Sequence, residues 1–237
     1  MRADSGADAG LARHTAATLG VGFELHHVGV EPGANLEARL RRARYGALPP
    51  GVLTGHTADD QAETVLLNLL RGAGLDGLTA MAPGPTKPLL AVRHHETVAL
   101  CAELGLAVAT DPTNTDPAFR RNRVRHEALP LLTDVAGRDL VPLLGRTADV
   151  LRRDLGLVEA LAGELDPTDA RQVAAAHPAI ADRALRTWLA VDGYAPDSAA
   201  VERVLAVADG THRACELAGG RRVERSGQRL RVVPADR

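Results

Sequence analysis

The chain has 237 residues, enough for one large or two small domains with a real hydrophobic core. Hydrophobic residues make up 45%, charged residues 24% and aromatics only 2%, so the core has to be built from Ala, Leu and Val. The net charge of −2 excludes a protein held to nucleic acid by bulk charge, but not one with a local basic patch. No apolar run approaches the ~20 residues needed to span a bilayer. The opening MRADSGADAG lacks the charged-then-apolar order of a signal peptide. Cys101 and Cys215 are far apart and form no CxxC pair, so a zinc or iron–sulfur site is not expected and a reduced, cytoplasmic setting is.

In chain order, residues 8–19 predict a helix and 22–30 (GFELHHVGV) a short strand. An Arg-rich helix follows over 36–48, and 51–55 (GVLTG) has the pattern of a buried strand. Residues 57–70 form the most clearly patterned helix, with Ala62, Val65, Leu66, Leu69 and Leu70 on one apolar face and Gly72 placed to end it. A helix over about 95–104 and a strand over 106–109 complete an alternation that argues for a parallel α/β sheet. Beyond a boundary near 133–137 the pattern turns helical. Leu140, Leu143, Leu144, Leu151, Leu155, Val158, Leu161 and Leu165 recur at helical spacing, and further helices are expected over 178–191 and 197–208. The Gly-interrupted end, 212–233, predicts two or three short strands. The expected organisation is an α/β domain over 1–135 and a mainly α-helical domain with short terminal strands over 136–237.

The most informative segment runs from Gly55 to Gly72, GHTADDQAETVLLNLLRG. Thr57 can cap the helix, with Asp60 three residues on completing a capping box. His56 and Asp60 are four apart and can project from the first turn towards one side. At the carboxyl edge of an open α/β sheet that is where ligands bind, and a helix N-terminus favours phosphate. The plainer reading stands beside it: Thr-x-x-Asp is often only a cap, and Asp59-Asp60 can simply complement the helix dipole. A second cluster, Arg120, Arg121, Arg123, Arg125 and His126, follows a loop broken by Pro112 and Pro117. Guanidinium groups suit phosphate, although such runs are also common on solvated helix faces. Arg121, Arg123 and Arg125 alternate, so on a helix they cannot share one face, and some are expected to pack on acids such as Asp111 or Asp116. His26-His27 and His94-His95 receive no role, and Tyr45 and Trp188 read as packing residues.

The segment GHTADDQAETVLLNLLRGAGLDGLTAM resembles the signature of the tRNA(Ile)-lysidine synthetases, within the wider group of N-type ATP pyrophosphatases. The likeness extends upstream through Asn35-Leu36-Glu37, Arg41 and Arg44-Tyr45. Downstream it takes in Pro88-Leu89-Leu90, Arg93 and Glu96, then Asp111, Asn114, Asp116 and the run from Phe119 to Arg125, with Thr113 for Ser and Phe119 for Tyr. The resemblance implies a Rossmann-like fold of the adenine-nucleotide α-hydrolase type followed by a helical tRNA-binding domain. It implies a two-step reaction: ATP with Mg²⁺ adenylates the C2 oxygen of the wobble cytidine in an isoleucine tRNA with a CAU anticodon, releasing pyrophosphate, and free L-lysine then displaces AMP. His56 would handle a proton, and Asp60 would hydrogen-bond or support a metal. Arg121, Arg123 and Arg125 would neutralise phosphate charge, and Asp59, Arg71, Asn114 and Asn122 would join them in holding substrate. No protein ligand set for a metal is assigned, no membrane contact is expected, and a homodimer is compatible with the sequence.

One family element is absent from these residues. The Ser-Gly-Gly-x-Asp-Ser loop, whose backbone N–H groups cradle pyrophosphate, does not occur. Asp4-Ser5-Gly6-Ala7-Asp8 shares its letters but follows no apolar strand, and Arg2-Ala3-Asp4-Ser5 resembles the family's segment just after the second strand. The expectation is therefore a misassigned start or a truncated copy lacking the first two strands, and a chain truly beginning at Met1 is not expected to adenylate tRNA. The rival readings are another tRNA-modifying ATP pyrophosphatase, against which the lack of paired cysteines counts for a thiolase, and a non-catalytic tRNA-binding remnant.

Overall fold

The computed structural model describes residues 5–30, 36–109 and 112–234, which divide into two compact units, Met1–Asp149 and Val150–Arg237. The expectations placed on Asp4, Asn35, Asp111 and the side chains of Glu37 and Arg41 lie outside the described residues.

In the first unit, helices appear where periodicity places them, as α1 (Ser5–Thr18), α2 (Leu36–Gly46), α3 (Ala58–Leu70) and α5 (His94–Glu103), and a single turn not expected from the sequence forms α4 (Leu75–Leu78). The Arg-rich run forms α6 (Arg120–Arg123), widens into a π-turn over Val124–Ala128 and continues as α7 (Leu129–Ala136). Gly137, left-handed at φ 63°, closes α7 as a residue without Cβ can.

The expected parallel sheet is the main difference. Residues 22–30, 51–55 and 106–109 form no strand, and Val21, Leu25, Val28, Leu53 and Val108 are all exposed. A β-prone string becomes a strand only when a neighbour completes its ladder. Among the described residues none of the three finds one, although the Thr54 N–H does reach the Thr86 carbonyl at 2.9 Å. The apolar face of α3 is also shorter than expected. Ala62, Val65 and Leu66 are buried, whereas Leu69 and Leu70 are 56% and 73% exposed.

Helix α8 (Val141–Gly163) carries residues of both units. Its buried positions are Val141, Ala148, Leu155 and Ala162, so small residues share the stripe with a leucine, and Leu161 faces out.

The second unit packs α9 (Ala170–Ala175), α10 (Pro178–Leu189) and α11 (Ser198–Ala208) with an antiparallel sheet in the order β1 (Ala214–Leu217), β2 (Arg221–Ser226), β3 (Arg229–Pro234). The short terminal strands are as the Gly-interrupted pattern predicts. Gly227, at φ 61°, occupies the first turn position between Ser226 and Arg229, where a II′ hairpin needs positive φ. The core is Leu185, Leu189, Val201, Val204, Val207, Val223 and Leu230 with interleaved alanines, aliphatic throughout as the scarcity of aromatics requires. Asp197 caps α11 by accepting the Ala200 N–H at 2.7 Å. Two inward arginines of β2 finish other helices: Arg221 donates to the Leu189 carbonyl at 3.1 Å and Arg225 to the Ala208 carbonyl at 2.8 Å. Each satisfies a carbonyl that the end of a helix leaves without an internal partner. At the start of β3, the Thr168 hydroxyl and N–H together with Arg229 hold the Asp166 carboxyl down to about 2.

Leu185 is fully buried at the centre of this core. Leu185→Ala should lower unfolding free energy by about 3 kcal/mol, seen as a fall in urea midpoint at unchanged m-value; an unchanged midpoint would place Leu185 outside the core.

Candidate active site

Helix α3 begins with a reciprocal cap. Thr57 adopts an extended backbone (φ −105°, ψ 175°), and its hydroxyl oxygen accepts from the Asp60 N–H while Asp60 Oδ2 accepts from the Thr57 N–H at 2.8 Å. That uses one carboxylate oxygen. The other, Oδ1, accepts from Arg121 at 2.9 Å and from Arg125 at 3.3 Å. One turn further on, Glu63 is 1% exposed and splits its oxygens in the same way. Arg121 Nε donates to Oε2 at 2.6 Å and Arg125 Nε to Oε1 at 2.5 Å. Two carboxylates on α3 and two guanidiniums on the Arg-rich helix thus form one closed network. Burial works against the charge of Arg125, but the Glu63 hydrogen bond and charge, with the charges of Asp60 and Asp59 behind, hold its protonation above the ordinary range.

The neighbouring polar residues of α3 are committed elsewhere. Asp59 takes Arg93 with both oxygens at 3.0–3.3 Å and also accepts the His94 N–H at 2.6 Å, so it closes the start of α5. Arg93 is shared with Asp139. Burial pushes the Asp59 carboxyl up, yet the Arg93 hydrogen bond, the His94 N–H and the Arg93 charge together outweigh it and hold the group below the usual carboxylate range. Gln61 donates to the Met81 carbonyl and accepts the Met81 N–H, and Asn68 donates to the Gly77 carbonyl, which fixes the loop after α3.

A cavity of about 470 Å³ opens at this end of α3, lined by Gly55, Thr57, Asp60, Leu89, His94, Thr97, Asn114, Arg121, Asn122 and Arg125. The structure therefore brings together Asp60, Asn114, Arg121, Asn122 and Arg125 of the residues singled out by sequence. Asn122 is buried and donates to the Asp116 carbonyl at 2.8 Å, and the Asn114 carbonyl lies 3.1 Å from His126 Nε2. His56 is placed differently from the expectation. It precedes the cap Thr57, so it is outside the helix rather than in its first turn, half-buried with Nδ1 2.8 Å from the Thr54 hydroxyl. Arg123 points away from the network to Glu127 at 3.0 Å, as the alternation of the arginines requires. Arg71 is the C-cap of α3, at the far end of the helix.

The acidic partners of the arginines also differ from the expectation. They are Asp60 and Glu63, while Asp116 turns its carboxylate back to the Ala118 N–H. Sequence reasoning missed Glu63, whose one signal was a charged residue between Ala62 and Val65 on an otherwise apolar face. It also missed His94 and Thr97, which enter the cavity from α5. Among the described residues no three His, Cys, Asp or Glu side chains converge to hold a metal ion. With both oxygens of Asp59 and of Asp60 already accepting hydrogen bonds, these residues do not form a ligand set for Mg²⁺.

A family model described as a PP-loop domain matches residues 1–132. Among curated proteins, a tRNA(Ile)-lysidine synthase of Mycolicibacterium paratuberculosis is 42% identical over 208 residues, covering 81% of this chain and 65% of that protein. The tRNA(Ile)-lysidine synthase of Nocardia farcinica is 41% identical over 223 residues, covering 88% of this chain and 69% of the relative. That of Mycobacterium leprae is 41% identical over 208 residues, with 80% and 64% covered. The chain thus spans about two thirds of the length of these relatives.

Two outcomes test the network. Glu63→Ala strands Arg121 and Arg125 without their buried partner and should cost about 3 kcal/mol, the lower end for a broken buried pair because both guanidiniums keep some solvent contact; chemical denaturation measures it, and a loss under 1 kcal/mol would remove Glu63 from the framework. The Asp59–Arg93 link should weaken in acid. A depressed folded pKa gives stability that is complete above the unfolded value of about 4 and fades as pH falls through the lower folded value. The stability gap between the parent and Asp59→Asn should therefore be constant near neutrality and shrink below about pH 4, and a gap unchanged at acid pH would contradict it.

Proposed function

Because the chain belongs to the PP-loop domain family and, within it, to the tRNA(Ile)-lysidine synthase family, we propose that it serves the ATP-dependent joining of lysine to C2 of the wobble cytidine in an isoleucine tRNA with a CAU anticodon, through an adenylated intermediate. The observation that carries this reading is the cavity at the start of α3, where Asp60, Arg121 and Arg125 meet in one charge network. The reading takes with it the parallel-sheet core of the adenine-nucleotide α-hydrolase fold.

The chemistry needs positive charge where phosphate charge develops as C2 oxygen attacks the α-phosphorus and pyrophosphate leaves. Two guanidiniums held rigidly by Asp60 and Glu63 supply it without reorganising in the step. Arg side chains also present paired N–H donors matched to phosphate oxygens. Asn114, Asn122 and Thr97 line the same cavity and offer neutral hydrogen bonds to a base or a ribose. His56, whose chain neighbours Gly55 and Thr57 line the cavity, is the proton-handling group in this reading, taking a proton as lysine nitrogen attacks C2 and AMP departs. Mg²⁺ accompanies ATP as the ion of the nucleotide substrate. Residues 138–237 would hold the body of the tRNA by shape and backbone contacts.

The test is made at the native gene, which leaves the protein as the cell makes it. Asp60→Asn and His56→Ala should each reduce lysidine in isoleucine tRNA more than tenfold, read by mass spectrometry of digested nucleosides. Parental lysidine in a strain deleted for the gene would overturn the function; parental lysidine in either point variant would remove that residue from the site.

A further inference from the structure

A second cavity, of about 300 Å³, lies at the opposite end of α3, between that helix and the Arg-rich run. It is lined by aliphatic Leu67, Leu70, Val124 and Ala128, by the guanidiniums of Arg71, Arg120 and Arg123, and by one carboxylate, Glu127. Leu70 is 73% exposed, which is costly for a leucine that nothing covers. Arg123 is tied to Glu127, but no carboxylate of the described residues pairs with Arg71 or Arg120. The groove therefore presents an apolar surface with two uncompensated guanidiniums. That combination fits a ligand with an apolar plane and separated anionic charges.

We propose that this groove binds a nucleotide a few positions from the reacting one on the same RNA strand, its base against Leu67, Leu70 and Val124 and the adjoining phosphates on Arg71 and Arg120. The inference rests on the RNA substrate proposed above. Asp60 and Arg71 are roughly 16 Å apart along the axis of α3, a few nucleotides of strand. The Arg-rich helix serves both cavities from opposite faces. Arg121 and Arg125 face the first and Arg120 and Arg123 the second, so one strand could be held at two points by one rigid helix pair. An aliphatic lining accepts any base face, whereas the guanidiniums follow the backbone, so the groove would add affinity and register rather than base choice.

The experiment uses the 237-residue chain, which need only bind. Fluorescently labelled isoleucine tRNA is titrated with the parent, with Arg71→Glu/Arg120→Glu and with Arg71→Lys/Arg120→Lys across a salt series, circular dichroism melts verifying that each is folded. Charge reversal should raise Kd more than tenfold and flatten the log–log salt slope by about 1.4, two single-strand phosphate contacts at ~0.7 each. The lysine pair should keep most of the parental slope. Photo-crosslinking of 4-thiouridine-substituted tRNA to the parent should label the peptide spanning 67–71. Parental affinity and slope in the reversed variant would overturn the groove while leaving the lysidine reading intact, since that reading is judged by lysidine in cells. Absence of tRNA binding by the folded parent, or crosslinks confined to other peptides, would overturn it as well.

Discussion

The sharing of Asp60 and Glu63 between helix α3 and two arginines is the constraint on which the first unit's site depends. Each carboxylate has two oxygens and each oxygen has its own duty. In Asp60 one starts the helix and the other receives Arg121 and Arg125. In Glu63 one oxygen serves each arginine. A buried carboxylate is costly unless it is fully hydrogen-bonded, and here the pairing that offsets that cost also fixes where positive charge sits at the cavity. The helix start and the charge geometry are therefore one structure.

Nearly all positive charge in this protein is guanidinium, since Lys87 is the single lysine among 28 basic residues. Guanidinium stays protonated when partly buried and donates in a fixed plane, so it can hold two carboxylates and still offer N–H groups to a third oxygen. Lysine at 121 or 125 could not bridge Asp60 and Glu63 in that way. The π-turn at Val124–Ala128 begins between the two arginines and carries Arg125, where the Arg-rich helix continues into α7.

Much of the site was legible in the sequence, because capping chemistry and helical spacing are local. Thr57 and Asp60 form the expected box, and Arg123 separates from Arg121 and Arg125 as alternation demands. What could not be read was the partner across space. Nothing near Arg121 in sequence points to Glu63, 58 positions away, and Asp59 gives no local sign that it closes α5. The strands failed for a related reason. Residues 22–30 and 51–55 have suitable composition, but a strand is defined by its neighbour, and β propensity does not supply one. The second unit was easier, because its helices are set by caps and its hairpins by glycines, all within a few residues.

In that second unit, Arg221 and Arg225 spend their donors on the carbonyl ends of α10 and α11. Counted by charge alone they resemble groups that attract a polyanion, yet they act as fasteners. Removing either would loosen a helix terminus, and the damaged fold would then bind less of everything. In an alanine survey of this region, a weakened complex would misidentify them as contact residues unless melting behaviour were recorded beside affinity.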